Sequence, residues 1–186
     1  GDVSGITALM FAAFNGHERV VELLLRRGAE IDQQDSDGGT ALMFAARSGH
    51  ERVVDLLIRC GADAYLQESG GSTALMFAAH HGHERLVELL LQRGTEINQQ
   101  DSDGVTALMG AAVRGHERVV DLLLQRSAEI NKQNSNGNTA LLTATANGHE
   151  RMVDLLMQHG AEINKQDSNG VTALIFAARS GHERVV

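Results

Sequence analysis

Six copies of Gly-His-Glu-Arg set a histidine beside a carboxylate, at His17, His50, His83, His116, His149 and His182. Histidine next to glutamate is the material of a zinc-activated hydrolase, in which two histidines one helical turn apart hold the metal and the glutamate acts as base. That chemistry requires His-Glu-x-x-His. Val21 stands where the second histidine would have to be, and Val54, Val87, Val120, Val153 and Val186 stand there in the other copies. Equivalent histidines on successive packed helices are about 8–10 Å apart, so a ladder of them does not converge on one ion. They read as structural histidines at a turn between helices.

His80-His81-Gly82-His83 adds two histidines to one copy. Adjacent helical positions face different directions, and spacing places no acid or cysteine to complete a ligand set, so His80 and His81 read as an exposed, partner-contacting pair. Asp35-Ser36-Asp37-Gly38 and Asp101-Ser102-Asp103-Gly104 have the opening composition of a calcium loop. Their glycine falls at the fourth position rather than the sixth, and no bidentate glutamate follows at the twelfth, so turn chemistry accounts for them. Cys60 shares a column with Arg27, Arg93, Arg126 and His159 at an outer helix end, a partly exposed thiol with no activating partner. The sequence holds no phosphate-binding Gly-x-x-x-x-Gly-Lys, no nucleophile elbow, and no paired carboxylates outside turns and helix surfaces. The expectation is a protein that is not an enzyme, with no metal and no cofactor.

What must position these residues is a repeat. Thr7, Thr40, Thr73, Thr106, Thr139 and Thr172 each open a copy 33 residues after the last, with no residue inserted or lost. A fixed period of this size marks a stacked array whose units are too small to fold alone. The units run 2–34, 35–67, 68–100, 101–133 and 134–166, with a sixth, 167–186, truncated inside its second helix. One array spanning 1–186 is expected to form a single domain. Terminal units of such arrays normally carry a polar outer face, whereas here Asp2-Val3-Ser4-Gly5 begins in mid-finger and Val185-Val186 ends on core residues. The pattern therefore leads us to expect a fragment of a longer array, or a chain whose tails are absent.

Within one unit, Asp35-Ser36-Asp37-Gly38 is a turn and Thr40 a helix N-cap. The helix from Ala41 carries Leu42, Ala45 and Ala46 on one narrow face, smooth enough for a second helix to approach closely, and Gly49 ends it. The second helix, from Glu51, turns Val53, Val54, Leu56, Leu57 and Ile58 inward and Glu51, Arg52, Asp55 and Arg59 outward, until Gly61 stops it. Each helix is about ten residues long, below the roughly 12–15 at which an isolated helix is even marginal in water, so stacking is obligatory. The extended polar stretch Ala29–Gly38, around the single apolar Ile31, is expected to form a hairpin-like finger joining one helix pair to the next.

Thr-x-Leu-x-x-Ala-Ala-x-x-Gly-His, then Val-Val-x-Leu-Leu, then Gly-Ala-x-Ile, then Asp-x-x-Gly, at a period of 33, resembles the ankyrin repeat over the whole chain. The family's first helix usually opens Thr-Pro-Leu-His. Here the proline column is alanine, from Ala8 to Ala173, and the histidine column reads Met10, Met43, Met76, Met109, Leu142 and Ile175. These departures remove some preorganisation and replace a polar bond by apolar packing. The resemblance implies an all-α solenoid of stacked helix-turn-helix units joined by short β-hairpin-like fingers. It further implies a non-catalytic scaffold that binds a protein partner through a concave groove and finger tips.

Charge and composition narrow the partner. A net charge of −8 argues against nucleic acid or anionic lipid, both of which need clustered Lys and Arg, and favours a basic or neutral protein. One cysteine cannot form an internal disulfide. No charged-plus-apolar leader opens the sequence and no apolar run approaches a membrane span. An intracellular monomer, cytoplasmic or nuclear, is the expectation.

Binding information must lie where the copies differ, because columns fixed by stacking are committed to the fold. The columns that vary are the residue before each cap (Gly39, Ser72, Val105), the finger position Ser4, Asp37, Gly70 and Asp103, and the pair before each Gly-His. Those pairs include Arg47-Ser48, His80-His81 and Val113-Arg114. Phe11, Phe44, Phe77 and Phe176 lie three residues before them on the same helix face. In the second finger the Ile column becomes Ala64, followed by Tyr65 and Leu66, which either refill that space or are displayed. The expected partner-binding set is Arg47, Tyr65, Leu66, Phe77, His80, His81, Val113 and Arg114. The alternatives are a structural spacer or tether, in which variation would scatter rather than cluster, and an engineered repeat scaffold. Ser127 stands in the helix-ending column of Gly28, Gly61, Gly94 and Gly160, which predicts a soft junction.

Overall fold

The structure is a computed structural model that describes residues 5–181; Ser4 of the first finger, and His182, Val185 and Val186 of the last copy, lie outside the described residues. A boundary after Glu96 divides the chain into two compact units. The first holds α1 (Ala8–Phe14), α2 (Glu18–Arg26), α3 (Ala41–Ser48), α4 (Glu51–Arg59), α5 (Ala74–His80) and α6 (Glu84–Gln92). The second holds α7 (Ala107–Arg114), α8 (Glu117–Gln125), α9 (Ala140–Ala146), α10 (Glu150–Gln158) and α11 (Ala173–Ser180). Among the described residues there is no strand.

Each first helix begins where a threonine offers its hydroxyl to the amide three residues on: Thr40 Oγ1 accepts from Met43 N at 3.4 Å, and Thr73 and Thr106 accept from Met76 and Met109 at 3.3 Å. In the first unit α1, α3 and α5 stack in one row and α2, α4 and α6 in a second row behind it; α7, α9 and α11 stack likewise in the second unit. The core lies between the rows. Leu42, Ala45 and Ala46 of α3 are fully buried, as the narrow alanine face requires, and Val53, Val54 and Leu57 of α4 meet them. Leu56 and Ile58, expected inward, are half-buried, because a nine-residue helix presents only one stripe to its neighbours. Asp55 and Arg59, both outward as expected, form an i, i+4 pair at 2.9 Å.

The histidines tie one copy to the one before it. His50 Nε2 donates to the Phe14 carbonyl at 2.9 Å, His83 Nε2 to Arg47 at 3.1 Å and His149 Nε2 to Val113 at 3.0 Å. Because a carbonyl can only accept, these rings carry their proton on Nε2. The preceding glycine makes room for the ring: a Cβ on Gly49 would lie 2.7 Å from His83 Cε1, and Gly49 also closes α3 at φ 81°. Gly-His is therefore one device, a left-handed stop that also seats the next copy's imidazole.

The fingers are turns rather than paired strands. Asp35 N donates to Gly39 O at 3.0 Å and Gly38 N to Asp35 O at 3.1 Å, while Asp35 Oδ1 accepts from the amides of Asp37 (3.0 Å) and Gly39 (2.7 Å). A side chain thus takes the amides that a second strand would have needed. Neighbouring fingers are joined by single backbone bonds, Ser69 N to Asp37 O at 2.7 Å and Ser135 N to Asp103 O at 2.8 Å. Gln34 and Gln133 add a side-chain stitch, each donating to the glycine carbonyl of its own turn and to the glutamine carbonyl 33 residues on.

Two positions depart from this economy. Ser127 has φ 67°, the one non-glycine residue in the left-handed region among those described. Ser127→Gly is expected to raise the unfolding free energy by about 1 kcal/mol, measured by urea denaturation, since a Cβ costs roughly 1–2 kcal/mol there; no gain would mean the strain is relieved elsewhere. Thr95 stands where Ala29, Ala62, Ala128 and Ala161 stand in the other copies, and its buried hydroxyl has no hydrogen-bond partner. Thr95→Ala is expected to stabilise by about 1 kcal/mol in the same assay, the cost of an unsatisfied buried hydroxyl.

Candidate functional site

In the first unit, fingers and first helices enclose an open cavity of about 220 Å³. Its floor and helical wall are Met43, Phe44, Arg47 and Phe77; its finger wall is Asp35, Asp37, Gly39 and Glu68. The aromatic column exists because a residue three or four before the helix end points back over the preceding turn, out of the alanine seam and toward the fingers. Phe44 and Phe77 are half-buried, Phe11 is 56% exposed and Phe14 48% exposed. Phe14 meets Phe44 edge to face at 6.3 Å, so the floor of one copy leans on the next. Ile6, Met10, Phe11 and Phe14 line a second hollow of about 180 Å³ that shares Phe44 with the first. In the second unit the column reads Gly110, Thr143 and Phe176, so a run of adjacent aromatic residues along it belongs to the first.

Of the expected contact residues, the cavity brings together Arg47 and Phe77. Arg47 is exposed at the end of α3, and its carbonyl holds His83. His80 is half-buried and His81 exposed, with ring centroids 5.1 Å apart; His81 stacks on His83 at 6.0 Å, 10° from parallel. His81 Nδ1 donates to the Phe77 carbonyl at 2.9 Å, the bond that Asn15 makes to Phe11 and Asn147 to Thr143 at 2.8 Å. His81 therefore serves first as a helix cap. Among the described residues no three of His, Cys, Asp and Glu are grouped to hold a metal. Val113 is half-buried and gives its carbonyl to His149; Arg114 is exposed at the end of α7.

Tyr65 and Leu66 lie elsewhere. Leu66 is half-buried, and Tyr65, 61% exposed, donates its hydroxyl to the Gly94 carbonyl at 2.9 Å, just beyond α6. Tyr65 occupies the column of Asp32, Asn98 and Asn131, whose Oδ1 atoms accept the backbone amide 31 residues on at 2.8–3.0 Å. An acceptor has become a donor, and the inter-copy bond has moved to a carbonyl. The Ile column itself is only half-buried, at Ile31 as at Ile97 and Ile130, so Ala64 leaves no large void to refill.

Asp35 was legible only as a turn residue, and Glu68 in the same column was not singled out; that they also wall a cavity depends on the next copy's helix, which no local pattern carries. The acid at the head of most turns, Asp35, Glu68, Asp101 and Asp167 against Asn134, was the available signal.

Stacked helix pairs linked by fingers define a repeat protein of the helix-turn-helix kind. The family model "Ankyrin repeats (3 copies)" matches residues 1–68, 52–134 and 126–186, and the chain belongs to the ankyrin-repeat family. Ankyrin repeats generally act as protein–protein interaction modules, and the family is typically non-catalytic. No curated protein matches the chain. Among the described residues no helix is long and apolar enough to cross a membrane.

Tyr65→Ala is expected to lower the thermal midpoint, by about 1 kcal/mol of stability for the lost bond to Gly94. An unchanged midpoint would mean that the bond contributes nothing and that the ring is there for display.

Proposed function

We propose that this chain is a non-catalytic scaffold that binds a protein partner in the groove between its fingers and first helices. The observation that carries this reading is the half-buried pair Phe44 and Phe77 at the floor of a cavity whose rim is charged. Aromatic residues at the floor of a partly formed, charge-rimmed pocket are the composition of an interaction hot spot. A groove already built by stacking also limits the ordering cost of association. Arg47, Phe77, His80 and His81 form the proposed contact set in the first unit, with Tyr65 and Leu66 of the second finger beside it. Val113 and Arg114 are the proposed contacts of the second. The unbroken 33-residue register supports reading 1–186 as one array, and the single cysteine supports an intracellular monomer.

Affinity capture from a lysate with mass spectrometry tests this, using the protein beside a Phe44→Thr/Phe77→Thr variant. Thr143 occupies the same column, so the substitution is compatible with the fold. The reading expects captured proteins that are lost with this variant and kept when Arg52 and Arg85 of the outer row are replaced by serine. Equal capture by both variants would overturn it, and no specific capture at all would favour a spacer.

A further inference from the structure

The cavity of the first unit also indicates the chemistry of what enters it. We propose that it receives an arginine side chain from an extended, basic segment of the partner, a deeper statement of the groove reading on which it rests.

Size comes first. At about 220 Å³ the cavity is smaller than the ~300–1,000 Å³ typical of small-molecule sites. It suits one long side chain rather than a cofactor or a folded element. Its floor is aromatic, and the faces of Phe44 and Phe77 carry the negative side of the ring quadrupole, which attracts a cation. The finger wall then supplies Asp35, Asp37 and Glu68. Asp35 and Glu68 are held in place by backbone amides: Asp35 Oδ1 takes two, and the two Glu68 oxygens take those of Gly70 (2.8 Å) and Ser72 (3.0 Å). Asp37 enters its turn only through its backbone, and the residue is exposed, so its carboxylate is available to an incoming donor. Fixed carboxylates beside a free one, over an aromatic floor, match a planar guanidinium, which stacks on a ring while donating sideways to carboxylates.

Arg47 is the cationic side chain in this lining, on the helical wall opposite the fingers. Against three carboxylates it does not reverse the local sign, and the chain as a whole carries −8. Its role is selection: it opposes a second cation placed toward the helix and so fixes the direction from which the guanidinium enters. A partner segment with acidic residues would meet the finger carboxylates first and be repelled.

The test is a ¹⁵N NMR titration of the full chain with three eight-residue peptides on one Ser-Leu framework, bearing arginine, citrulline or glutamate at the two central positions. The arginine peptide is expected to shift the amides of Asp37, Gly38, Phe44 and Phe77, and to bind at least about threefold more tightly than the citrulline peptide, the range of one exposed charge pair. Asp37→Asn is expected to weaken the arginine peptide about threefold, and Arg47→Ala to tighten it by a similar factor. Equal or tighter binding of the glutamate or citrulline peptide at the same amides would overturn the arginine assignment and leave the groove reading standing. Shifts confined to residues outside the cavity would overturn both, and no shift by the arginine peptide at millimolar concentration would overturn the assignment. Rescue of the Asp37→Asn loss by Asp37→Glu would separate charge from turn geometry.

Discussion

Helices of seven to nine residues cannot hold themselves together in water, and every other feature of the molecule answers that constraint. The stabilising burial has to come from the neighbouring copy. That is why the first helices carry alanine where they touch, why the imidazoles of His50, His83 and His149 reach back to a carbonyl 36 residues earlier, and why the finger turns are stitched to one another. None of these contacts is strong alone. Repeated at a fixed spacing, they make each copy's stability a property of its neighbours.

The same constraint decides where function has room. Columns that seat the next copy tolerate little change: Gly49 meets the His83 ring, and Thr40 is buried while it caps α3. The face that remains is the one between fingers and first helices, where a residue pointing away from the alanine seam costs the fold little. Phe11, Phe44 and Phe77 occupy it in the first unit, Gly110, Thr143 and Phe176 in the second. An array that must be regular to fold can still differ from copy to copy on that face.

Period and cap chemistry made the fold legible. The threonine caps, the glycine stops and the left-handed Ser127 could each be placed from the sequence, since all three follow from local backbone rules. The site was legible in part. Arg47 and Phe77 do line one cavity, because helical spacing is a local rule too. Tyr65 was less readable: its hydroxyl engages a carbonyl 29 residues away, and only the packed copies determine that. The hairpin-like fingers proved to be side-chain-closed turns for a similar reason, since Asp35 competes for the amides a strand would use.

Native-state hydrogen exchange tests most directly the claim that each helix is held by its neighbours. If stacking supplies the stability, the amides of α3 and α4 should open together with those of the adjoining α1 and α5, sharing one opening free energy that rises and falls in common as urea is added. If instead α3 exchanged alone, through an opening far less costly than that of α4 and indifferent to its neighbours, the helices would be independent elements and the account would fail.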